Sequence, residues 1–419
     1  MIGWQSARHV LCVRLDNMGD VLMSTPAMQA LAESVPARRL TLLTSRAAAG
    51  LAPHLPMVRR VLTWNAPWAR HADTDSGSGP APGPAIASCA RWLARYRFDA
   101  AVIFTVYSQS PLPAAMLCTM AGIPLRLACC RENPYALLSD WVPEREPGML
   151  PGQRPRHETQ RQLDLVAQVG ATASDMRLRF RVLAADRVAV TARLAACRMG
   201  RSGPVVVIHP GASASSRRWP AARFAEVAHA LALQAGAHVL VTGDAAEREV
   251  VQAVCAGAGH ARVMPLAGEL SLGEMGALLE AADLLVSNNT GPVHLAAALG
   301  TPVVDLYALT NPQHTPWQVP HRTLFADVPC RYCYKSVCPE GHHRCLDDVP
   351  AAMAVQAALA LLGGDVDSLP AQELPWPGAA MPGALGAIDI ISAPPDIRHA
   401  VPVPDSPSKE EVAHVHPWH

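Results

Sequence analysis

No run in this 419-residue sequence approaches the ~20 apolar residues that a membrane-spanning helix needs, because Pro, Arg or Asp interrupts each candidate. A soluble or membrane-peripheral protein is therefore expected. Residues 1–10 carry Arg8 and His9 but no long apolar run, so they do not read as a signal peptide and point to a cytoplasmic location. Charge of one sign is missing too: Lys+Arg and Asp+Glu both total 35. Without a global field, nucleic acid is not expected as a partner and any attraction must be local. Peripheral contact with the cytoplasmic face of an inner membrane stays open.

What is present is a chain about half apolar, long enough to divide its core between two domains. Short β-prone runs at 10–15, 40–44 and 100–104 alternate with helical patterns at 21–33 and 87–96, the rhythm of a parallel sheet with crossover helices. Pro26 suits the 21–33 helix only near a start or a kink. Residues 73–84 (D-T-D-S-G-S-G-P-A-P-G-P) have nothing to bury and read as a flexible insertion. A helix at 157–170 completes a first domain, 1–175, and a linker follows at 176–202. The alternation resumes with strands at 205–208, 238–241, 262–265, 284–287 and 303–306 and helices at 221–234, 245–256, 271–281 and 292–299. With a last helix at 350–362 these make a doubly wound second domain, 203–362. Residues 363–419 are Pro-rich without periodicity and are expected to be largely disordered.

In open α/β sheets ligands bind beyond the carboxyl ends of the strands, where loops turn into helix N-termini. Four segments suit such corners. In R-L-D-N-M-G-D-V-L-M-S-T-P (14–26), Gly19 reads as a turn residue and Asp20 opens the next helix, either as a general base for an acceptor hydroxyl or as a cap. In V-V-V-I-H-P-G-A-S-A-S-S-R-R-W-P (205–220), Gly211 leaves room for a ligand, and Arg217 or Arg218 can face a diphosphate unless both are merely solvated. In V-T-G-D-A-A-E (241–247), Glu247 either accepts from ribose hydroxyls or favours its helix dipole. In L-L-V-S-N-N-T-G-P-V-H-L-A-A-A-L-G (284–300), Thr290 and Gly291 precede a Pro suited to a first helical turn, whose free N–H groups can meet an anion. His294 there reads either as a cleft donor or as a structural histidine. None of the four corners holds a D-x-D triplet of the metal-seating kind.

Two clusters remain. Arg126, Arg131, Arg154, Arg156, His157 and Arg161 make the end of the first domain basic, suited to the carboxylates or phosphates of an acceptor or simply solvated. Of eleven cysteines, Cys12, Cys89, Cys118, Cys129, Cys130, Cys197 and Cys255 are scattered and read as buried thiols. Cys330, Cys333, Cys338 and Cys345 are spaced C-x₂-C-x₄-C-x₆-C, either a knuckle around one Zn or Fe ion or a reduced cap on a hydrophobic corner. His342 and His343 could replace one ligand.

In this order and at these separations, the four corners resemble glycosyltransferase family 9, best known for ADP-heptose:lipopolysaccharide heptosyltransferases, from about Val10 to about Leu362. The resemblance implies an α/β fold of GT-B architecture, two Rossmann-like doubly wound domains facing a central cleft, acceptor on the N-terminal domain and nucleotide sugar on the C-terminal one. It implies an inverting transfer of a heptose-type sugar from a nucleotide-diphosphate donor, ADP-heptose in the type members, to a lipopolysaccharide core or related surface glycan, with no cofactor required. Asp20 matches the family's base, Arg217 its donor-phosphate cation, Glu247 its ribose contact, and Thr290 and Gly291 its diphosphate turn. Asn289 stands where the family usually has Asp, keeping the shape and losing the charge. A nucleotide-sugar epimerase of the same architecture, or a nucleotide-sugar-binding protein impaired in turnover by Asn289, are the alternative readings.

Overall fold

A computed structural model describes residues 3–69, 82–144, 155–196 and 203–364. Arg154, Cys197, residues 73–81 of the expected insertion and nearly all of the Pro-rich tail lie outside the described residues.

The two alternating series fold into two six-stranded sheets whose strands all pair in parallel. The first contains β1 (His9–Arg14), β2 (Arg39–Thr44), β3 (Val58–Thr63), β4 (Ala100–Ile103), β5 (Leu125–Cys130) and β6 (Asp140–Pro143) in the order β3-β2-β1-β4-β5-β6. The second contains β7 (Val205–His209), β8 (His238–Gly243), β9 (Val263–Ala267), β10 (Leu284–Asn288), β11 (Val303–Leu306) and β12 (His321–Leu324) in the order β12-β11-β10-β7-β8-β9. The winding is the same in both, so it reverses between β1 and β4 in one sheet and between β7 and β10 in the other. Those two crevices are where this architecture places ligands.

The strands are apolar along their length because helices cover both sheet faces: β4, β10 and β11 are buried throughout. Side chains alternate between faces, so Val10 and Cys12 enter one cluster and Leu11 and Val13 another. The cluster holding Val10 also takes in Val207, Leu285, Val293 and Leu295 of the second half, giving the halves one shared apolar seam. The opposite face of the second sheet closes on Val206, Ile208 and Phe224. Residues 178–182 of the expected linker join the shared seam through Leu178, Phe180 and Val182, and the helix Ala184–Ala196 packs on Leu272–Ala281. Among the described residues no helix is long and apolar enough to cross a membrane.

Three local differences from the sequence expectation have plain causes. The 21–33 helix is two helices, Met18–Met23 and Thr25–Ser34, and Pro26 falls in the first turn of the second, where its missing N–H costs no bond. Gly19 lies inside the first helix, not in a turn. The helix Pro82–Ala94 begins within the stretch read as an insertion, its two prolines placed in a first turn that tolerates them.

Candidate active-site cleft

The first corner is organised by Arg14, the last residue of β1 and fully buried. Its guanidinium stands 2.9 Å from Asp16 Oδ2, 3.3 Å from Asp20 Oδ1 and 3.0 Å from Glu158 Oε1. Glu158 is also fully buried, and Arg161 approaches its other oxygen at 3.6 Å. Asp20 Oδ2 accepts from the Asn17 backbone N–H at 3.2 Å. Capping and cleft-facing are therefore both true of Asp20, one oxygen serving the helix start and the other the arginine.

Charge differentiates the carboxylates. Burial works against an ionised Asp20, but the field of Arg14, with Arg217 adding, outweighs it and holds its carboxyl below the ordinary range. His314 and His294 face the same group, and burial depresses both imidazoles, that of His294 to about 3. Burial, opposed by Arg14 and reinforced by the Asp20 charge, pushes Asp16 up to about 6, while Gln109 Nε2 donates to its Oδ1 at 2.7 Å.

At the second corner, β7 runs into the short turn Ser215–Arg217. Arg218 Nε donates to the Ala212 carbonyl at 2.7 Å, which leaves Arg217 to project into the cleft. A cavity of about 670 Å³, within the range of small-molecule sites, is lined by Asp16, Asp20 and Gln109 from the first half and by Arg217, His314 and Lys335 from the second. Of the residues singled out in the sequence, it brings together Asp20 and Arg217.

The others do not line this cavity. Glu247 is the N-cap of Arg248–Ala258, and its Oε2 accepts from the Asp244 N–H at 3.0 Å. The room that Gly211 was expected to leave for a ligand holds the Glu247 carboxylate, which a Cβ at 211 would overlap. Thr290 caps the helix Gly291–Leu299. Two glycines let that helix meet Met18–Met23: a Cβ at 291 would fall 2.5 Å from Met18 Cε, and one at 19 would fall 2.7 Å from the His294 ring. Gly19 is thus required by the seam, and His294 is a buried seam residue beside Asp20.

Asn289 turns inward. Its Nδ2 donates to Asp305 Oδ2 and to the His314 carbonyl, both at 2.9 Å. Asp305 is fully buried, and burial, against the Asn289 hydrogen bond and the Arg217 field, pushes its carboxyl up to about 8. An Asp at 289 would set two carboxyl groups in contact, so Asn at 289 fits the Asp at 305. Because the folded pKa lies above the ordinary value, the stabilisation is complete below about pH 4 and is lost as pH rises through about 8. Asp305→Asn keeps an acceptor for Asn289 and removes the titration. Between about pH 5 and about pH 9 the wild-type melting temperature should fall more steeply than that of Asp305→Asn; parallel profiles would show that Asp305 does not titrate in the fold.

Most of the basic cluster is bonded within the fold. Arg126 donates to the carbonyls of Leu137, Pro124 and Ala136 at 2.7, 3.1 and 2.9 Å, clamping its own loop. His157 donates from Nε2 to the Thr315 carbonyl at 2.8 Å, accepts from Thr159 N–H at Nδ1 and stacks on Trp317, pinning the first half to the 308–320 loop of the second. Arg156 pairs with Asp164 at 2.8 Å, and Arg161 with Glu144. Arg126 and His157, expected on the acceptor side, thus have these polar groups bonded within the fold. Arg131 remains exposed, over the Tyr107 ring.

Sequence reasoning missed Arg14, Asp16, Glu158, His314 and Lys335. Arg14 and Asp16 stood in the first corner's motif, where an Arg ending an apolar strand signals a buried charge needing partners. His314 and Lys335 lie in irregular chain with no periodicity to mark them.

Two Rossmann-like sheets of equal winding, with a polar cavity lined from both crevices, define a GT-B protein. The chain belongs to glycosyltransferase family 9 (heptosyltransferase), whose family model matches residues 86–343. Lipopolysaccharide heptosyltransferase 1 of Pseudomonas aeruginosa is 35% identical over 136 residues, 32% of this chain and 38% of that protein. Lipopolysaccharide heptosyltransferase 2 of Escherichia coli is 31% identical over 165 residues, 38% and 47% respectively. The chain thus matches about half or less of the length of these curated relatives. In fold it is similar to a glycosyl transferase family 9 structure from Veillonella parvula, with TM-score 0.70, 19% identity and coverage of 87% of this chain and 99% of that one. It is likewise similar to the E. coli ADP-heptose LPS heptosyltransferase II, with TM-score 0.65, 21% identity and coverage of 85% and 99%.

Proposed function

We propose that the protein transfers a heptose-type sugar, with inversion, from a nucleotide-diphosphate donor such as ADP-heptose to a lipopolysaccharide core or related surface-glycan acceptor, at the cytoplasmic face of the inner membrane. The observation that carries this reading is the opposition of Asp20 and Arg217 across one cavity. An acceptor hydroxyl beside Asp20 gives its proton to the carboxylate as its oxygen attacks the anomeric carbon, and the nucleoside diphosphate leaves toward Arg217. The field of Arg14, which holds the Asp20 carboxyl below its ordinary range, favours the carboxylate form that a base needs.

Lys335, on the same wall as Arg217, adds a second cation for the departing diphosphate. The two cations and the helix N-terminus at Thr290 and Gly291 carry the charge stabilisation in the absence of a catalytic divalent ion; the D-x-D triplets at 73–75 and 365–367 lie outside the described residues. Glu247 is assigned to the donor ribose once ligand displaces its bond to Asp244, and Arg131 to the acceptor's anionic groups.

Donor binding is testable separately from turnover. A native-state ligand raises apparent stability, so among nucleoside diphosphates and their sugars at least one should raise the melting temperature, and Arg217→Ala combined with Lys335→Ala should abolish that rise. A panel with no stabilising nucleotide would remove the donor assignment.

A further inference from the structure

Residues 330–345 enter the reaction above only through Lys335, yet they carry four cysteines. None of the four is in a disulfide. All four, with His342 and His343, line one cavity of about 20 Å³, room for a single atom-sized guest. Cys330 Sγ lies 3.6 Å from His342 Nε2. The chain is wound around this hollow by residues with left-handed backbone: Tyr332 (φ 61), Tyr334 (φ 52), Gly341 (φ 68) and His343 (φ 50). Three of these are not glycine, a conformation held only where the surroundings determine it. The apolar lining amounts to Leu309, Val328 and Pro339.

We propose that Cys330, Cys333, Cys338 and Cys345 bind one Zn²⁺ or Fe²⁺ ion. Among the described residues no three donors are already closed to metal-holding geometry. Binding therefore includes an inward contraction of the thiols to bonds of about 2.3 Å. Each thiol releases its proton to solvent as its sulfur becomes a thiolate ligand. The four donors suit a borderline-soft ion in tetrahedral geometry.

The knuckle is built into the cleft wall. Ser216, next to Arg217, bonds the Ser336 carbonyl through its N–H at 3.1 Å and the Lys335 carbonyl through its hydroxyl at 2.9 Å. The N–H groups of Tyr332 and Tyr334 bond the carbonyls of Leu309 and Thr310 at 2.5 and 2.8 Å. Lys335 and Ser336 fall between the second and third cysteines, so fixing those cysteines fixes both Lys335 and the Arg217 turn. This bracing role, unlike the metal site itself, rests on the transferase reading.

The test uses the full chain purified under reducing conditions without added metal. Elemental analysis should find about one equivalent of Zn or Fe per chain, absent from Cys330→Ser/Cys333→Ser. Because that variant can fail to fold, wild-type protein is also stripped with a mercurial and chelator and reloaded with Co²⁺, which should develop the thiolate charge-transfer and d–d bands of a tetrahedral sulfur site. Metal-free protein with four freely titrating thiols and no such bands would overturn the site. Stripping should lower the melting temperature and weaken ADP binding; unchanged ADP affinity after stripping would overturn the bracing role. Metal-loaded protein that binds no ADP counts against the transferase reading and leaves the metal content standing.

Discussion

Asp20→Asn should lower turnover by roughly 10²–10⁴ while nucleoside-diphosphate binding is kept. The amide preserves the acceptor for the Asn17 N–H, so the helix start survives and only the basic oxygen facing the cleft is lost. Near-normal turnover in steady-state assays would reduce Asp20 to a cap. Asp16→Asn separates the two carboxylates of the pocket. Asp16, pushed up to about 6, changes charge near neutrality beside Asp20, so its removal should move the acid limb of the pH–rate profile without abolishing turnover. A loss in Asp16→Asn equal to that in Asp20→Asn would make Asp16 the base.

Arg14→Met should destabilise the fold by about 3–5 kcal/mol, the range for removing one partner of a buried ion pair. Arg14 is fully buried and faces Asp16, Asp20 and Glu158 at once. Without it Glu158, fully buried, keeps the Gln162 amide as a neutral donor and the more distant Arg161 as its cation. Glu158→Gln in the Arg14→Met background should recover part of the loss, since the amide needs no counter-charge. Chemical denaturation measures both; a change under about 1 kcal/mol for Arg14→Met would mean that the network behaves as a solvated surface pair.

The fold was largely legible because parallel sheets covered on both faces must write their strands as short apolar runs, and VVVIH, HVLVTG and LLVSN each precede a loop of small residues. The two glycines were harder. Gly19 and Gly211 were read as local devices, yet each is fixed by a partner distant in sequence, His294 and Glu247. The partners of Arg126 and His157 were hidden for the same reason: they are carbonyls of loops that the fold brings near. Asn289 looked like a loss until Asp305, sixteen positions on, supplied its hydrogen-bond partner.

The central claim is that the cleft between Asp20 and Arg217 joins donor to acceptor. Its most direct test is release of nucleoside diphosphate from ADP-heptose, measured with and without a heptose-lacking lipopolysaccharide core acceptor. Transfer predicts that ADP and glycosylated acceptor appear in equal amounts, only when both substrates are present, and that Asp20→Asn stops both. Donor converted at the same rate without acceptor, to an isomeric sugar nucleotide or to free sugar, would contradict it.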